Sequence, residues 1–237
     1  MTKPTLPLER QVEALEGAQR HWQAQPRAGQ RATAFTIALS REAGTPGTSV
    51  ARALGARLGW PVYDHELLER IAQETGLRVN LLQSVDERQK GWLTEATEAF
   101  ASLPKVSESG FVRHVIETVL SLGTHGRCVI VGRGSFYILP AATTLRVRLV
   151  GDLEDRITVA AARLGVSRKE AAQWVEQTER DRLRFIKDHF LKDAADPRHY
   201  DLVLSTSRWS VAESAELIVQ ALHLLEARTT GQAPAGV

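Results

Sequence analysis

The sequence predicts an α/β fold in which a parallel sheet of five short strands is covered by helices on both faces. Two observations support this prediction. Short apolar runs, of the kind found in strands buried on both faces, recur along the chain, and segments with apolar residues at three- and four-residue spacing separate them. A chain of 237 residues, 43% hydrophobic and 24% charged, is long enough for one such domain with an insertion or for two small ones.

The strands of the predicted sheet are short runs delimited by loop residues. The run at 128–131 is continuously apolar, whereas the run at 145–150 alternates apolar and basic residues. In such sheets, ligands bind beyond the carboxyl ends of the strands, so candidate functional residues are sought there. The expected strands are 35–39, 61–63, 128–131, 145–150 and 202–204.

The helices between these strands have recognisable ends. Gly59 ends the first, and two capping boxes, Ser167 with Glu170 and Ser210 with Glu213, open the last two. Segment 77–122 is expected to be helical, with breaks near Pro104 and Gly110. The other expected helices are 50–58, 64–75, 152–163, 167–191 and 210–225.

The two ends of the chain lie outside this pattern. Residues 1–32 are predicted to form an amphipathic helix at 6–24 followed by a linker, and this helix is a candidate contact for a homodimer. The tail, 227–237, is rich in Gly, Ala, Thr and Pro and is expected to be flexible. The main domain is therefore assigned to 33–226.

The composition excludes several classes of protein. A formal net charge of +2 gives no global case for nucleic-acid binding. The single cysteine, Cys128, excludes an internal disulfide framework and a multi-cysteine zinc site. No apolar run approaches the roughly 20 residues that span a bilayer, and the first residues lack the apolar core of a signal peptide. We therefore expect a cytoplasmic protein without nucleic-acid or membrane partners.

The loop after the first strand is a candidate phosphate-binding loop. A loop of small residues between a strand and a helix presents backbone N–H groups and a helix N-terminus to phosphate oxygens. The full P-loop pattern, G-x-x-x-x-G-K-[ST], is not matched. With Thr48 aligned on the final position, Gly47 stands in place of the lysine, Pro46 in place of the second glycine and Arg41 in place of the first. The pattern alone is weak and favours a plain strand-to-helix turn over a phosphate-binding role.

Basic residues are unevenly divided, with 24 Arg against 6 Lys and no lysine between residues 4 and 89. Composition bias is sufficient to explain the arginine excess. The gap nevertheless bears on function, because the loop contains no lysine to neutralise phosphate charge.

Several motifs in this order resemble the cytidylate kinase-like family, a branch of the P-loop nucleoside monophosphate kinases. The resemblance covers about residues 34–222. The residues that carry it are Ser40-Arg41-Glu42-Ala43-Gly44, Gly47, Tyr63-Asp64-His65-Glu66-Leu67-Leu68, Val129-Ile130-Val131-Gly132-Arg133-Gly134, Tyr200-Asp201-Leu202-Val203 and Ser205-Thr206-Ser207.

The resemblance implies a fold and a reaction. The fold is a five-stranded parallel sheet with helices on both faces, a helical insert at 65–122 that binds the monophosphate, and a helical lid at 163–195. The reaction is transfer of the γ-phosphoryl group from ATP to a nucleoside monophosphate, typically CMP or dCMP, with Mg²⁺. Such transfer depends mainly on positioning and charge neutralisation. The alternative is a catalytically weak or inactive nucleotide-binding sensor or regulator that uses the same pocket.

The resemblance also assigns the phosphate loop. Gly44, Thr45, Gly47 and Thr48 are expected to bind ATP, and Thr48 is expected to supply the hydroxyl that ligates Mg²⁺. The alternative for Thr48 is a helix N-cap. Arg41 is expected to replace the missing lysine as a catalytic cation, or merely to pair with Glu42.

Two further residues follow the second and third strands. Arg133 matches the arginine that contacts the monophosphate in cytidylate kinases, and Gly134 stands where those enzymes have an aspartate. Asp64 is expected to face the acceptor nucleotide or, alternatively, to cap the next helix. Val131-Gly132 lacks the acidic residue that often positions Mg²⁺ after this strand.

The long helix contains an Arg-Asp-x-x-Arg element. Arg180 and Arg184 are expected to close over phosphates as catalytic residues, with Asp181 taking a sugar hydroxyl. The alternative is a solvated, salt-bridged helix face. Arg182 is expected at the surface, and Arg148 is expected to form part of a polar cover or an interface.

Overall fold

The computed structural model describes residues 34–107 and 109–229. The predicted helix at 6–24, its linker and residues 230–237 of the tail lie outside the described residues. Helices and strands account for most of the described chain, and the predicted sheet is present.

All five strands are parallel and lie in the order β2-β3-β1-β4-β5, which confirms the predicted architecture. The strand β1 is central, since Ile37 is opposite Val129 of β3 on one side and Leu145 of β4 on the other. The carboxyl ends of all strands therefore lie at one edge of the sheet. The strands are β1 Thr36–Arg41, β2 Val62–Tyr63, β3 Val129–Val131, β4 Thr144–Val150 and β5 Leu202–Ser205.

The helices largely follow the sequence expectation. The predicted helix at 64–75 differs in one respect, because the backbone leaves the helical conformation at Glu74, which ends one helix and precedes the next. The short helix after β3 was not anticipated. The described helices are α1 Gly47–Leu58, α2 His65–Gln73, α3 Thr75–Ser84, α4 Glu87–Ala101, α5 Pro104–Ser107, α6 Gly110–His125, α7 Ser135–Ile138, α8 Leu153–Leu164, α9 Arg168–Phe190 and α10 Val211–Thr229.

Alternate residues of the central strands enter two separate cores. Ile37 and Leu39 pack with α1 and α10 on one face of the sheet. Ala38 and Ile130 pack with helices of the 65–125 segment on the other face. This alternation follows from the two-residue period of a strand, and it places helices on both faces. Cys128 is fully buried, and desolvation raises the pKa of its thiol to about 12, as expected of an inert core cysteine.

A third, smaller cluster holds the phosphate loop against the helices α8 and α9. Ala43 of the loop is fully buried against Ile157 and Ala160 of α8 and Ala171 and Val175 of α9. This packing joins the loop to the segment 163–195. The assignment of that segment as a lid, and of 65–122 as a monophosphate-binding insert, remains a prediction, although both are helical.

Among the described helices, none combines the length and the hydropathy that a membrane span requires.

Replacing Ile130 by alanine should destabilise the fold strongly. Ile130 is fully buried in β3, which is paired on both edges, so truncation leaves a cavity that its neighbours cannot fill. We expect Ile130→Ala to lower the free energy of unfolding by about 2–5 kcal/mol. Val203 on the edge strand β5 is 42% exposed, and the control Val203→Ala should cost under about 1 kcal/mol. Urea unfolding followed by circular dichroism measures both, and equal losses would contradict the assigned core.

Candidate active site

Backbone conformation shapes the loop between β1 and α1. Gly44 has a φ of +88°, and a Cβ built on it would lie 2.5 Å from the carbonyl oxygen of Arg156. A Cβ on Gly47 would lie 2.8 Å from Cγ of Arg41. Both positions therefore require glycine, because α8 and the Arg41 side chain approach the loop backbone closely.

The loop and the start of α1 present several backbone donors. The first helical hydrogen bond runs from the N–H of Val50 to the carbonyl of Pro46, at 3.0 Å. The N–H groups of Gly47, Thr48 and Ser49 precede it and have no partner within the helix. These donors, with the helix dipole behind them, suit an anion.

The hydroxyls of the two loop threonines differ in their contacts. Thr45 donates its hydroxyl to the carbonyl of Glu42 at 2.8 Å, which stabilises the turn. Thr48 is the second residue of α1, and its hydroxyl makes no hydrogen bond to any described residue. The alternative that Thr48 caps the helix is wrong, because the helix begins at Gly47 and Pro46 occupies the N-cap position.

Arg41, the last residue of β1, lays its aliphatic carbons against Gly47 of the loop and its guanidinium against the backbone of Gly132, after β3. Burial, with the charges of Arg182 and Arg133, lowers the pKa of Arg41 to about 9, while Asp64 raises it. The alternative that Arg41 pairs with Glu42 is wrong. No ion pair joins the Arg41 guanidinium to a carboxylate of the described residues.

Four arginines come from different elements, and the charges of Arg133 and Arg163 act on both Arg41 and Arg182. We call Arg41, Arg133, Arg163 and Arg182 the arginine cluster. Desolvation is the first cause of the lowered pKa of each member, and the pKa of Arg182 falls to about 10. Arg182 donates to the carbonyl of Arg41 at 3.2 Å. Like charges held together in this way favour the approach of an anion.

Arg133 lies at the junction of the cluster and an aromatic region. It forms an ion pair with Glu69 of α2, and its guanidinium lies 5.4 Å from the centre of the Phe185 ring. Its Nε is buried and makes no hydrogen bond in the described chain. Arg133 has a φ of +53°, an unusual conformation for a residue with a side chain, which aims the chain from β3 into this region.

The helix α9 turns a different face to the loop than the sequence predicts. Arg180 pairs with Glu176, and Asp181 accepts a hydrogen bond from Gln177 at 2.9 Å. These side chains and Arg184 are exposed. The expectation that Arg182 lies at the surface is wrong. A helix turns about 100° per residue, so Arg182 projects roughly opposite to Arg180 and Arg184 and reaches the cluster.

Glu179 reaches the loop from the same face as Arg182. Its carboxylate accepts a hydrogen bond from the N–H of Ala43 at 2.6 Å. The sequence contained a signal for this face. Ala171, Val175 and Ile186 are among the buried residues of α9, and their spacing brings residues 179 and 182 to the same side.

Arg148 of β4 is buried beside the loop and contacts two carboxylates there. Only 6% of it is exposed, and it lies 3.8 Å from Glu42 and 3.7 Å from Glu179. Arg156 also pairs with Glu42, at 3.5 Å. These contacts hold the two carboxylates beside the loop. The expectation of a cover or interface was therefore wrong for Arg148.

Asp64 caps the helix α2, which confirms the alternative that the sequence offered for this residue. Its carboxylate accepts a hydrogen bond from the N–H of Leu67 at 3.0 Å and so caps α2. Asp64 also acts on the pKa of Arg41. Whether it contacts an acceptor stays a prediction, as do the roles assigned to Arg180, Asp181 and Arg184.

Comparisons with known proteins agree on the fold and the family. The protein is 29% identical over 186 residues to a cytidylate kinase of Methanopyrus kandleri, which covers 77% of this chain and 91% of that protein. A crystal structure of an uncharacterized protein from Eubacterium ventriosum matches with a TM-score of 0.66 at 22% identity, over 80% of this chain and 98% of that one. The model of the protein family described as "Cytidylate kinase-like family" matches residues 36–208. The chain therefore belongs to the cytidylate kinase-like family.

Proposed function

We propose that this protein transfers the γ-phosphoryl group of ATP to a nucleoside monophosphate of the CMP or dCMP type, with Mg²⁺. The family indicates a kinase-like function and small nucleotide substrates. The observation that carries the finer proposal is the arginine cluster, in which Arg182 of α9 donates to the carbonyl of Arg41 and the Arg41 guanidinium lies against Gly132, the residue before Arg133. Phosphoryl transfer needs that arrangement, because charge must be neutralised and two substrates positioned.

The loop is proposed to hold the donor phosphates through Gly44, Thr45, Gly47 and Thr48. The bond between the Ala43 N–H and the Glu179 carboxylate supports the fit, since an anionic oxygen already lies 2.6 Å from a loop amide. The hydroxyl and the N–H of Thr45 both donate to the carbonyl of Glu42, so Thr45 would contribute by holding the turn of the loop.

Mg²⁺ is proposed to bind through the hydroxyl of Thr48, together with phosphate oxygens and water. The described residues hold no group of three His, Cys, Asp or Glu that could ligate a metal. This fits Mg²⁺ in a nucleotide site, where the ion keeps several waters and takes few protein ligands. When bound, the ion supplies charge neutralisation at the transferred phosphate.

Arg41 is proposed to act in place of the lysine that the loop lacks. Its aliphatic part lies against Gly47 of the loop, and its guanidinium lies against Gly132 without a carboxylate ion-pair partner in the described chain, so its charge is available to a phosphate. Arg133 and Asp64 are proposed to contact the acceptor. Arg180, Asp181 and Arg184 would join the site only if α9 moves, whereas Arg182 is already there.

A second function, nucleotide sensing without catalysis, is favoured by one observation. The Glu179 carboxylate occupies a donor that the phosphates of ATP would use, and its charge opposes theirs. If nucleotide binding displaced Glu179 without leading to phosphoryl transfer, the protein would sense the nucleotide and would not convert it.

A nucleotide panel separates the two functions. Each of CMP, dCMP, UMP, AMP and GMP is incubated with ATP or GTP and Mg²⁺, and diphosphate is measured by chromatography. We expect diphosphate from pyrimidine monophosphates, CMP or dCMP among them, because the cluster can neutralise the phosphates of both substrates. Micromolar binding of a monophosphate without any diphosphate would reject the kinase and leave the sensor.

Removing Arg182 should abolish most of the activity. Since Arg182 places its charge among Arg41, Arg133 and Arg163, we expect Arg182→Ala to lower kcat/KM by about 100-fold or more. Lys187→Ala, which removes an exposed cation from the same helix, is the matched control and should leave the rate within about twofold. Steady-state kinetics test both variants, and an active Arg182→Ala protein would exclude this residue from catalysis.

Neutralising Glu179 should tighten ATP binding. In Glu179→Gln the negative charge beside the loop is lost, so phosphate competes with a weaker acceptor for the Ala43 N–H. We expect the Kd for ATP to fall about fivefold to tenfold. Glu176→Gln is the control, because Glu176 lies on the same helix and is exposed. Calorimetric titration measures the Kd, and an unchanged value would show that Glu179 does not compete with phosphate.

A further inference from the structure

A cavity of about 320 Å³ lies between the C-terminal part of α4 and the end of α9. This volume is at the lower end of the range for small-molecule sites, which suits one ring system. Its lining is mainly apolar and aromatic. The residues that form it are Ala99, Phe100, Leu103, Tyr137, Phe190 and Lys192.

Aromatic rings form the walls of this cavity. Phe100 meets Phe190 edge to face, with ring centres 6.1 Å apart, and Tyr137 lies nearly parallel to Phe190 at 6.4 Å. The hydroxyl oxygen of Tyr137 is buried, so the ring rather than the hydroxyl lines the cavity. Lys192 is exposed, and its ammonium group is the charged group of the lining. The lining therefore offers ring faces and few hydrogen-bonding groups.

Gly134 is the residue that allows this arrangement. A Cβ built on Gly134 would lie 2.6 Å from Cε2 of Phe190, so the ring occupies the space of a side chain at position 134. Gly134 also has a φ of +74°, which disfavours any other residue. The Phe190 ring thus lies directly on the backbone that follows β3.

The same rings connect the cavity to the arginine cluster. Gly134 follows Arg133 in the chain, and the Arg133 guanidinium lies against Phe185. Phe185 in turn packs against Phe190 at 6.1 Å between ring centres. An anion at Arg133 and a ring in the cavity would therefore be neighbours, as the phosphate and base of one nucleotide are.

We propose that this cavity holds the base of the acceptor nucleotide and recognises it by ring packing instead of by hydrogen bonds to the base edge. The proposal rests on the proposed function and specifies the acceptor as a class. Pyrimidine monophosphates that differ only at the base edge are accepted alike, and a sugar phosphate without a base is a poor ligand. Stacking on aromatic side chains is insensitive to base identity because every base has a π-face.

The test compares CMP, UMP and ribose 5-phosphate by calorimetric titration of the full chain. We expect the Kd values of CMP and UMP to agree within about fivefold and to be at least about tenfold lower than that of ribose 5-phosphate. A difference between CMP and UMP above about 100-fold would show base-edge reading and overturn the proposal. Equal affinities for CMP and ribose 5-phosphate would overturn it as well.

A cavity-filling variant tests the location. Ala99 is exposed on α4, so Ala99→Phe should fold and fill the cavity, whereas Ala99→Ser keeps it open. We expect Ala99→Phe to raise the Kd of CMP to that of ribose 5-phosphate and to leave the latter unchanged. Phe100→Leu should weaken the binding of CMP and leave that of ribose 5-phosphate unchanged. Its control is Phe111→Leu, which makes the same change outside the cavity lining. An unchanged CMP affinity in Ala99→Phe and Phe100→Leu would overturn the assignment.

The outcomes separate this proposal from the kinase proposal. If the expected affinities are found but ATP and CMP yield no CDP, the cavity assignment stands and the kinase fails. If CDP forms and Ala99→Phe binds CMP as the wild type does, the cavity assignment alone fails. If neither CMP nor ribose 5-phosphate binds, both fail.

Discussion

The central position of β1 is the constraint on which the site depends. Its parallel pairing with β3 and β4 brings the ends of three strands to one edge, so the chain leaving β1 at Arg41 meets the chain leaving β3 at Arg133. The register of β1 also decides to which face of the sheet Arg41 points, because a shift of one residue would turn it to the opposite face. The loop between β1 and α1 begins at this edge, as does the chain that follows β3.

Charge around the loop is divided between two groups. Arg148 and Arg156 hold Glu42, and Arg148 also approaches Glu179, so most of this charge is compensated. The arginine cluster has fewer carboxylate partners, and burial, followed by the charges of Arg133 and Arg163, lowers the pKa of Arg41 and Arg182. Buried charge is costly without a counterion, so an anion is the complement that the second group lacks. The aromatic rings beside Arg133 add an apolar surface, which together with the cations matches the two halves of a nucleotide.

Sequence reasoning succeeded where a residue's position followed from the strand before it. Arg41 ends β1 and Arg133 follows β3, and parallel pairing brings these two positions to one edge of the sheet, while the roles that the family resemblance gives them stay predictions. It failed on α9, where Arg182 was assigned to the surface and Glu179 was overlooked. A motif spacing identifies residues that share a helix face, but the face that packs inward depends on the contacts of Ala171 and Val175 with Ala43.

The sequence by itself determined the strands, most helix ends and the glycines of the loop, since these follow from local periodicity, capping and backbone conformation. It also determined the absence of lysine from the loop. Only the tertiary structure decided which arginines meet, that Arg148 belongs to the site, and that Phe190 fills the space over Gly134. Those contacts join residues far apart in the chain, and their geometry depends on how helices pack on the sheet, which no local pattern encodes.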